Sequence, residues 1–221
     1  MKGDVTPETS ELVLLERLRA GDLEVLSELF ARHRPRLLRM VQFRIDPRLA
    51  TRLDADDVLQ ESWIAARQRI RFWLEAPEKS FYVWLRLVTG QTLVDIHRRH
   101  LGAQMRDLRM EVSIQRGGGG PPATSVSLAG HLLANMTSPS QAAMQAELSA
   151  RLSQALDSMD EIDREILVLR HFEEPTNNEV AELLGMKKSA TSNRYVRALG
   201  RLKGILEGMP GFVDGVRSDP P

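Results

Sequence analysis

A capped turn between two helical patterns constrains the fold of this chain more than any other feature. Thr176 and Glu179 stand three residues apart, so the hydroxyl can accept a hydrogen bond from a free amide at a helix start while the carboxylate reaches back to the cap. Gly185 supplies the permissive backbone that ends this short helix and turns the chain. We therefore predict a helix-turn-helix between Glu165 and Leu206, with the second helix leaving the turn at a steep angle.

The second helix has two different faces. Its core-facing positions, set by helical spacing, are predicted to be Thr191, Tyr195, Ala198, Leu199, Leu202 and Leu206. Ser189, Asn193 and Arg197 project the opposite way. Between Lys187 and Lys203 there are six basic residues and no acidic one. Positive charge beside hydroxyl and amide groups suits DNA phosphates and major-groove base edges, which predicts a recognition helix. A solvated face on an ordinary core helix is the alternative.

The start of the second helix is less certain from sequence. Lys187 is a poor cap, so Ser189 could cap instead and start the helix two residues later.

Charge is balanced over the whole chain but segregated along it. The 221 residues include 30 Lys plus Arg and 30 Asp plus Glu, so the formal net charge is zero and no overall basicity attracts nucleic acid. Acidic residues concentrate in 157–182, and the basic run follows directly. Any affinity for nucleic acid must therefore come from a local surface.

The amino-acid content also excludes several kinds of site. There is no cysteine, which excludes disulfides, cysteine-based metal sites and thiol catalysis, and fits a reducing compartment. The start of the chain lacks an apolar signal region and no stretch approaches the ~18 apolar residues of a membrane span, so we expect a cytoplasmic protein with no membrane partner. No histidine has a carboxylate partner at metal spacing, and no nucleophile, base and acid group together. We predict no catalytic residue, no metal, no cofactor and no enzyme activity.

Helical periodicity indicates an all-α protein with two small domains. Amphipathic helical patterns recur from 8 to 100 and from 138 to 206, while strand signals are scarce. The intervening segment 117–122 is four glycines and two prolines, which predicts a flexible linker because glycine raises chain entropy and proline blocks helix. The predicted division is a helical domain at 9–103, a linker at 104–136, a helix-turn-helix domain at 137–208 and a tail at 209–221.

The first domain is predicted to be a four-helix unit. Helical patterns cover 11–19 and 23–34, and the second pattern continues beyond Pro35 to residue 45. Asp54 is expected to cap a long helix over 55–74, and Ser80 a further helix from 81 to about 100. The buried positions of the long helix are expected to be Leu59, Trp63, Ala66, Ile70 and Trp73.

The exposed side of the long helix begins with an acidic and amide cluster. Its members, which fall within two turns, are Asp56, Asp57, Gln60 and Glu61. One interpretation is compensation of the helix dipole in the first turn. The other is a docking face for a basic surface on a partner.

The last predicted helix of the first domain carries a second polar stripe. Gln91, Asp95 and Arg98 are spaced i, i+4 and i+7, and Arg99 follows. Glutamine and arginine are able readers of bases and phosphates, although a solvated stripe has the same spacing. Five aromatic residues, Phe72, Trp73, Phe81, Tyr82 and Trp84, surround the loop at 75–80. Most must be core, and one or two exposed rings could stack on an unpaired base.

Three sets of motifs resemble bacterial RNA polymerase sigma factors of the extracytoplasmic-function type, over residues 9–207. Leu18-Arg19-Ala20-Gly21-Asp22 with Leu29-Phe30, then Asp56-Asp57-Val58-Leu59-Gln60-Glu61, resemble the start and the core-binding helix of sigma region two. Ser80-Phe81 with Trp84-Leu85, then Asp95-Ile96-His97-Arg98-Arg99, resemble the end of that region. Leu156, Asp163 to Arg170, Glu179 to Gly185 and Arg197-Ala198-Leu199 resemble region four.

The resemblance implies a role for each polar surface. Residues implied to dock on the clamp helices of the polymerase beta-prime subunit are Asp56, Asp57, Gln60 and Glu61. Residues implied to lie near the minus-10 promoter element are Gln91, which replaces a common asparagine, Asp95, Arg98 and Arg99. Residues implied to meet the minus-35 element are Lys187, Lys188, Ser189, Asn193, Arg194 and Arg197. The implied partners are core RNA polymerase, through the clamp helices and the beta flap, and promoter DNA. The resemblance also allows an anti-sigma factor as a further partner.

We therefore predict an alternative sigma factor that binds core polymerase and directs promoter recognition and transcription initiation. Docking both domains on polymerase at a fixed separation would add their weak DNA contacts through high effective concentration. A free-standing helix-turn-helix regulator is one alternative, although it leaves the cluster at 56–61 without a task. A helical adaptor or enzyme with no DNA role is the other.

Overall fold

The computed structural model describes residues 7–46, 48–49, 52–101, 120–121, 124–134 and 142–209, and all regular structure in these ranges is helical. The predicted all-α class is thus confirmed for the described residues. The helices are α1 (Pro7–Arg19), α2 (Val25–Arg44), α3 (Ala55–Glu75), α4 (Phe81–Leu101), α5 (Ser125–Ala134), α6 (Ala142–Leu156), α7 (Glu161–Val168), a π-helical turn (Leu169–Glu173), α8 (Asn177–Leu183) and α9 (Lys188–Glu207).

Helices α1 to α4 pack around one apolar core and form what we call the first unit, residues 7–101. Gly21 adopts a positive φ of 97°, which lets the chain turn out of α1 as the sequence predicts. The next helix runs unbroken through Pro35, so the predicted continuation of the pattern is confirmed. Its buried side chains include Leu26, Leu29 and Leu37, which pack with those of α3 and α4.

The long helix α3 is organised as its sequence pattern predicts. The Asp54 side chain accepts a hydrogen bond from the backbone N–H of Asp56 at 2.9 Å and so caps the first turn. The predicted core positions Leu59, Ala66, Ile70 and Trp73 are buried, and Trp63 is partly buried. The opposite side of the helix is left to solvent, and the acidic and amide cluster begins there.

Helices α5 to α9 form a second unit, residues 124–209, that starts earlier than the sequence suggests. Helix α5 lies inside the predicted linker at 104–136, and sequence reasoning missed it. Its start is capped by Thr124, whose hydroxyl accepts from the N–H of Ser127 at 3.0 Å. Leu128 and Leu133 are buried, and the helix packs along α6. The glycine and proline run ends just before this cap, so composition overextended the linker. The predicted domain bounds otherwise stay predictions, and 210–221 lies outside the described residues.

The two units touch each other, which the sequence did not predict. Helix α2 packs against the π-helical turn, and α4 packs against α8. Phe43 of the first unit stacks on His131, with ring centroids 4.5 Å apart, and lies 5.0 Å from the ring of Phe172. The helix-turn-helix therefore sits directly on the first bundle.

Candidate nucleic-acid interface

The helix-turn-helix forms as its local sequence signals predict. The N–H of Glu179 donates to the Thr176 hydroxyl at 3.3 Å, and the N–H of Thr176 donates to the Glu179 carboxylate at 2.6 Å. This reciprocal capping box begins α8. Gly185 has a φ of 61°, in the left-handed region that ends a helix without steric cost. The chain then turns and enters α9.

The start of α9 settles the choice between two caps. Lys187 is the cap residue, with extended backbone angles of φ −70° and ψ 143° and no capping bond from its side chain. Ser189 already lies within the helix, so the later start that it offered is wrong. The reason is that Thr191, a turn further on, donates its hydroxyl to the Lys187 carbonyl at 3.1 Å and stabilises the earlier turn.

The two faces of α9 are divided as predicted. Thr191, Ala198 and Leu202 are buried, while Tyr195, Leu199 and Leu206 pack partly against the core. The exposed face carries five of the six residues that the resemblance assigned to the minus-35 element: Lys187, Lys188, Ser189, Asn193 and Arg197. The structure thus brings these five together on one solvent-facing surface.

Arg194, the sixth residue of that set, is engaged within the protein. Its Nε donates to Asp163 Oδ1 at 2.6 Å, and its Nη2 donates to Asp160. The Asp163 side chain is only 3% exposed and also accepts from Arg201. Asp163 therefore holds α9 against α7 through two arginines. Sequence reasoning missed this role, although the acidic run before the basic helix was a signal that charges could pair between them.

The predicted polymerase-docking cluster lies on the exposed side of α3. Asp57, Gln60 and Glu61 are exposed, and Asp56 is partly covered because Arg34 pairs with it at 2.6 Å. Asp57 also lines an open cleft of about 630 Å³. Its other lining residues are Gln42, Ile45, Arg52, Leu53, Asp54 and Ala55. Three exposed polar side chains and a recess are thus presented side by side.

The predicted minus-10 stripe lies on α4 and adjoins the docking cluster. The Gln91 amide donates to the Asp95 carboxylate at 3.1 Å, so two members of the stripe contact each other. Asp95, Arg98 and Arg99 are exposed and Gln91 is half-buried. Arg99 also donates to Glu61 at 2.5 Å. This bond joins the docking cluster to the minus-10 stripe, which sequence analysis had described as two separate surfaces.

The aromatic cluster near the loop at 75–80 is mostly core, as predicted. Trp73, Phe81 and Tyr82 are buried, and Trp84 packs partly against them. The Trp73 indole donates to the Lys79 carbonyl at 3.0 Å, which ties the loop to α3. Phe72 is 70% exposed, so one ring is presented to solvent.

Within the described ranges, no group of His, Cys, Asp and Glu side chains is arranged to hold a metal ion. Over the same part of the chain, no helix is both long and apolar enough to traverse a bilayer.

Comparison with known proteins points to one function. The family model for sigma-70 region 4 matches residues 155–204, from the end of α6 through most of α9. RNA polymerase sigma factor CnrH of Cupriavidus metallidurans is 26% identical over 204 residues, covering 92% of this chain and 97% of that protein. RNA polymerase sigma-H factor of Pseudomonas aeruginosa is 25% identical, covering 84% of this chain and 88% of that protein.

The chain is an RNA polymerase sigma factor. It is of the extracytoplasmic-function type, an alternative sigma factor that directs transcription initiation with core RNA polymerase and promoter DNA as its partners. The family consists of non-catalytic transcription factors. A solved structure of CnrH in complex with the cytosolic domain of CnrY is 22% identical to this sigma factor, with a TM-score of 0.49 over 88% of this chain and 96% of that one. Neither the free-standing regulator nor the adaptor alternative is favoured.

Proposed function

We propose that this sigma factor reads the minus-35 element with the exposed face of α9. The observation that carries the proposal is the segregation of this helix into a buried apolar face and a solvent-facing cationic and polar face. Lys187 and Lys188 would contact phosphates and so position the helix, while Ser189, Asn193 and Arg197 would contact base edges. Arg194 would serve the same element by holding α9 in place through Asp160 and Asp163 rather than by touching a base.

The second half of the proposal concerns polymerase and the minus-10 element. Asp56, Asp57, Gln60 and Glu61 would dock on the clamp helices of the beta-prime subunit, and the second unit would lie near the beta flap. Supporting this, Asp57, Gln60 and Glu61 are exposed on one stretch of α3. Docking negative side chains on a basic helix pair is favourable for association and fixes the orientation of the bound protein.

For the minus-10 element, α4 would supply Gln91, Asp95, Arg98 and Arg99. The exposed Phe72 ring on the neighbouring helix supplies a surface on which an unpaired base could stack, and such stacking contributes ~1 to 3 kcal/mol per base. The pair between Arg99 and Glu61 couples this surface to the docking cluster.

We further propose that the protein is cytoplasmic and has no enzyme activity. On the resemblance alone, we also propose an anti-sigma factor as a further partner.

The experiment that tests the proposal measures binding to core polymerase and transcription from a genomic promoter library. The double variant Asp57→Arg, Gln60→Ala should lose core binding and library transcription together, because it reverses one charge and removes an amide at the docking face. Both side chains are exposed, so the fold should be unaffected and the helical circular dichroism unchanged. The matched control Glu78→Gln changes an exposed carboxylate in the loop at 75–80 and should bind core normally. Failure of the wild-type chain to bind core polymerase would refute the proposal.

A further inference from the structure

One apolar side chain stands exposed on the recognition helix α9. Val196 is 65% exposed, and it belongs neither to the buried side of the helix nor to the polar residues assigned to the minus-35 element. It lies three residues after Asn193 and seven after Ser189, and residues at these spacings share one face of a helix. Val196 therefore stands in the same row of side chains as two of the proposed base readers.

The fold of α9 does not require a valine at this position. A β-branched residue is a weaker helix former than alanine because the preceding turn restricts its rotamers, and an exposed valine gains little from the core. The buried residues Thr191, Ala198 and Leu202 lie on the other side of the helix. A single exposed apolar residue on a protein surface is ordinary. Val196 differs from such a residue in its surroundings.

The start of α8 lies beside the row that holds Val196. The Asn177 side chain donates from Nδ2 to the Ser192 hydroxyl at 3.0 Å. Ser192, one turn before Val196, donates its own hydroxyl to the Lys188 carbonyl at 3.1 Å. In a helix-turn-helix the first helix crosses the DNA backbone while the second enters the major groove. The side of α9 that adjoins the start of α8 is therefore the side nearest the duplex, and Val196 projects between Ser192 and Asn193 around the helix.

The neighbours of Val196 on this surface are polar or cationic. Ser192 and Asn193 lie beside it, and Lys188 and Arg197 flank the face. A protein partner that covered this surface would bury hydroxyl, amide and cationic groups together with one valine, which is costly unless each polar group finds a partner. The major groove offers acceptors for these groups and, at each thymine, one methyl group suited to apolar contact. A single valine among polar groups therefore fits thymine better than it fits a protein surface.

We propose that Val196 is a specificity-determining residue of the minus-35 interface, where its methyl groups contact the 5-methyl group of a thymine in the major groove. The inference rests on the proposed reading of the minus-35 element by α9 and adds an apolar contact to the polar ones. Each residue advances a helix by about 1.5 Å, so Val196 lies about 4.5 Å further along the axis than Asn193. Successive base pairs are about 3.4 Å apart, so the thymine is expected roughly one or two base pairs from the base that Asn193 meets.

The test removes the thymine methyl group and the valine separately. Deoxyuridine pairs as thymine does and lacks only the 5-methyl group. Holoenzyme made with the wild-type chain is bound to a promoter from the genomic library in which each thymine of the minus-35 element, on either strand, is replaced by deoxyuridine in turn. One replacement should raise the dissociation constant about fourfold, which corresponds to about 0.8 kcal/mol for one buried methyl-sized group. With Val196→Ala, the same replacement should leave the dissociation constant unchanged.

Val126→Ala is the matched control. Val126 is a valine of α5 that is 56% exposed, so it has the same chemistry and belongs to the same unit but lies outside α9. Holoenzyme with this variant should keep the wild-type fourfold response to deoxyuridine. Alanine is the stronger helix former, so neither substitution should reduce the helical circular dichroism.

Two results would overturn the inference. One is a wild-type holoenzyme for which no thymine of the element is sensitive to loss of its methyl group. The other is a sensitive thymine whose response persists in Val196→Ala, and if that variant bound both duplexes more weakly, Val196 would contact polymerase instead. Failure of the proposed function is distinguishable, because exchange of whole base pairs in the minus-35 element would then leave wild-type binding unchanged.

Discussion

Replacing Asp163 with asparagine should loosen the recognition helix without disturbing the first unit. The Asp163 carboxylate, 3% exposed, accepts from Arg194 and from Arg201, and these two bonds attach α9 to α7. Asparagine has nearly the same shape and keeps one oxygen acceptor. The substitution therefore removes the charge and one of the two acceptors while it keeps the packing of the side chain, which a change to alanine would not do.

The magnitude follows from the exposure of the two arginines. A hydrogen bond to a charged group contributes ~1.5 to 3 kcal/mol, and Arg194, with 26% of its side chain exposed, belongs near the middle of this range. Arg201 is 57% exposed and water can replace its partner, so its share is ~0.5 kcal/mol. The two shares sum to about 2.7 kcal/mol, and because asparagine keeps one acceptor we expect Asp163→Asn to lower the free energy of unfolding of the second unit by about 2 kcal/mol. With a slope near 1 kcal/mol per molar urea for a small unit, the midpoint falls by about 2 M.

The distribution of tryptophan allows each unit to be followed separately. All three tryptophans, Trp63, Trp73 and Trp84, lie in the first unit, so their fluorescence reports its unfolding. Far-ultraviolet circular dichroism reports both units. In urea, Asp163→Asn should move the dichroism transition and leave the fluorescence transition in place, and DNA binding should weaken equally for all minus-35 sequences. If both transitions stayed coincident and unshifted, the bonds from Asp163 would not hold α9 in place. A loss of DNA binding confined to one base position would refute the same role. Glu147→Gln is the control because it removes one partner of an exposed ion pair on α6. It should change the free energy of unfolding by less than ~0.5 kcal/mol.

Two other outcomes are expected. Asn193→Ala and Arg197→Ala should each cost ~1 to 3 kcal/mol at particular minus-35 base pairs, measured by binding of holoenzyme to a set of single-base promoter variants, and an equal loss on every variant would argue against base contact. Although burial by itself would raise it, the charges of Arg44 and Arg86 lower the pKa of Glu173 from 4.5 to about 2 in the folded protein. Because this pKa is lower in the folded than in the unfolded protein, the stabilisation from Glu173 is fully present above pH 4.5 and is lost as the pH falls toward 2. The urea midpoint of the wild-type chain should fall in this window, and Arg44, Arg86 and the Tyr82 phenol are the titratable groups that act on Glu173. Glu173→Gln should lose that part of the pH response.

Local signals predicted the elements that depend on a few neighbouring residues. Thr176 and Glu179 define the start of α8 because the capping box closes within three residues, and Asp54 defines the start of α3 for the same reason. Helical spacing likewise predicted which side of α9 is buried, since the core lies on one side of the helix. Helix α5 was missed because adjacent glycines and prolines dominated the composition, although Thr124 gives it a cap of the same kind.

Contacts between distant residues were not predictable in this way. Arg44 and Glu173 are 129 positions apart, and neither has a periodic or spacing signature that names the other. The π-helical turn that carries Glu173 is followed by Glu174 as its cap, which has a φ of 53° in a region that favours glycine. A left-handed glutamate is not expected from local preference. It places the Glu174 carboxylate within reach of Arg39.

Glu179 takes part both in the fold of the second unit and in its contact with the first unit. One of its oxygens, Oε2, accepts both from the N–H of Thr176, the cap residue of α8, and from Arg36 of the first unit, each at 2.6 Å. Release of Arg36 leaves the capping box intact, because the bond from Thr176 belongs to the second unit alone. The bond from Arg194 to Asp163 likewise lies entirely within the second unit. The bonds that shape the recognition helix are therefore separate from those that join the two units, so Arg36→Gln should not change which bases are read.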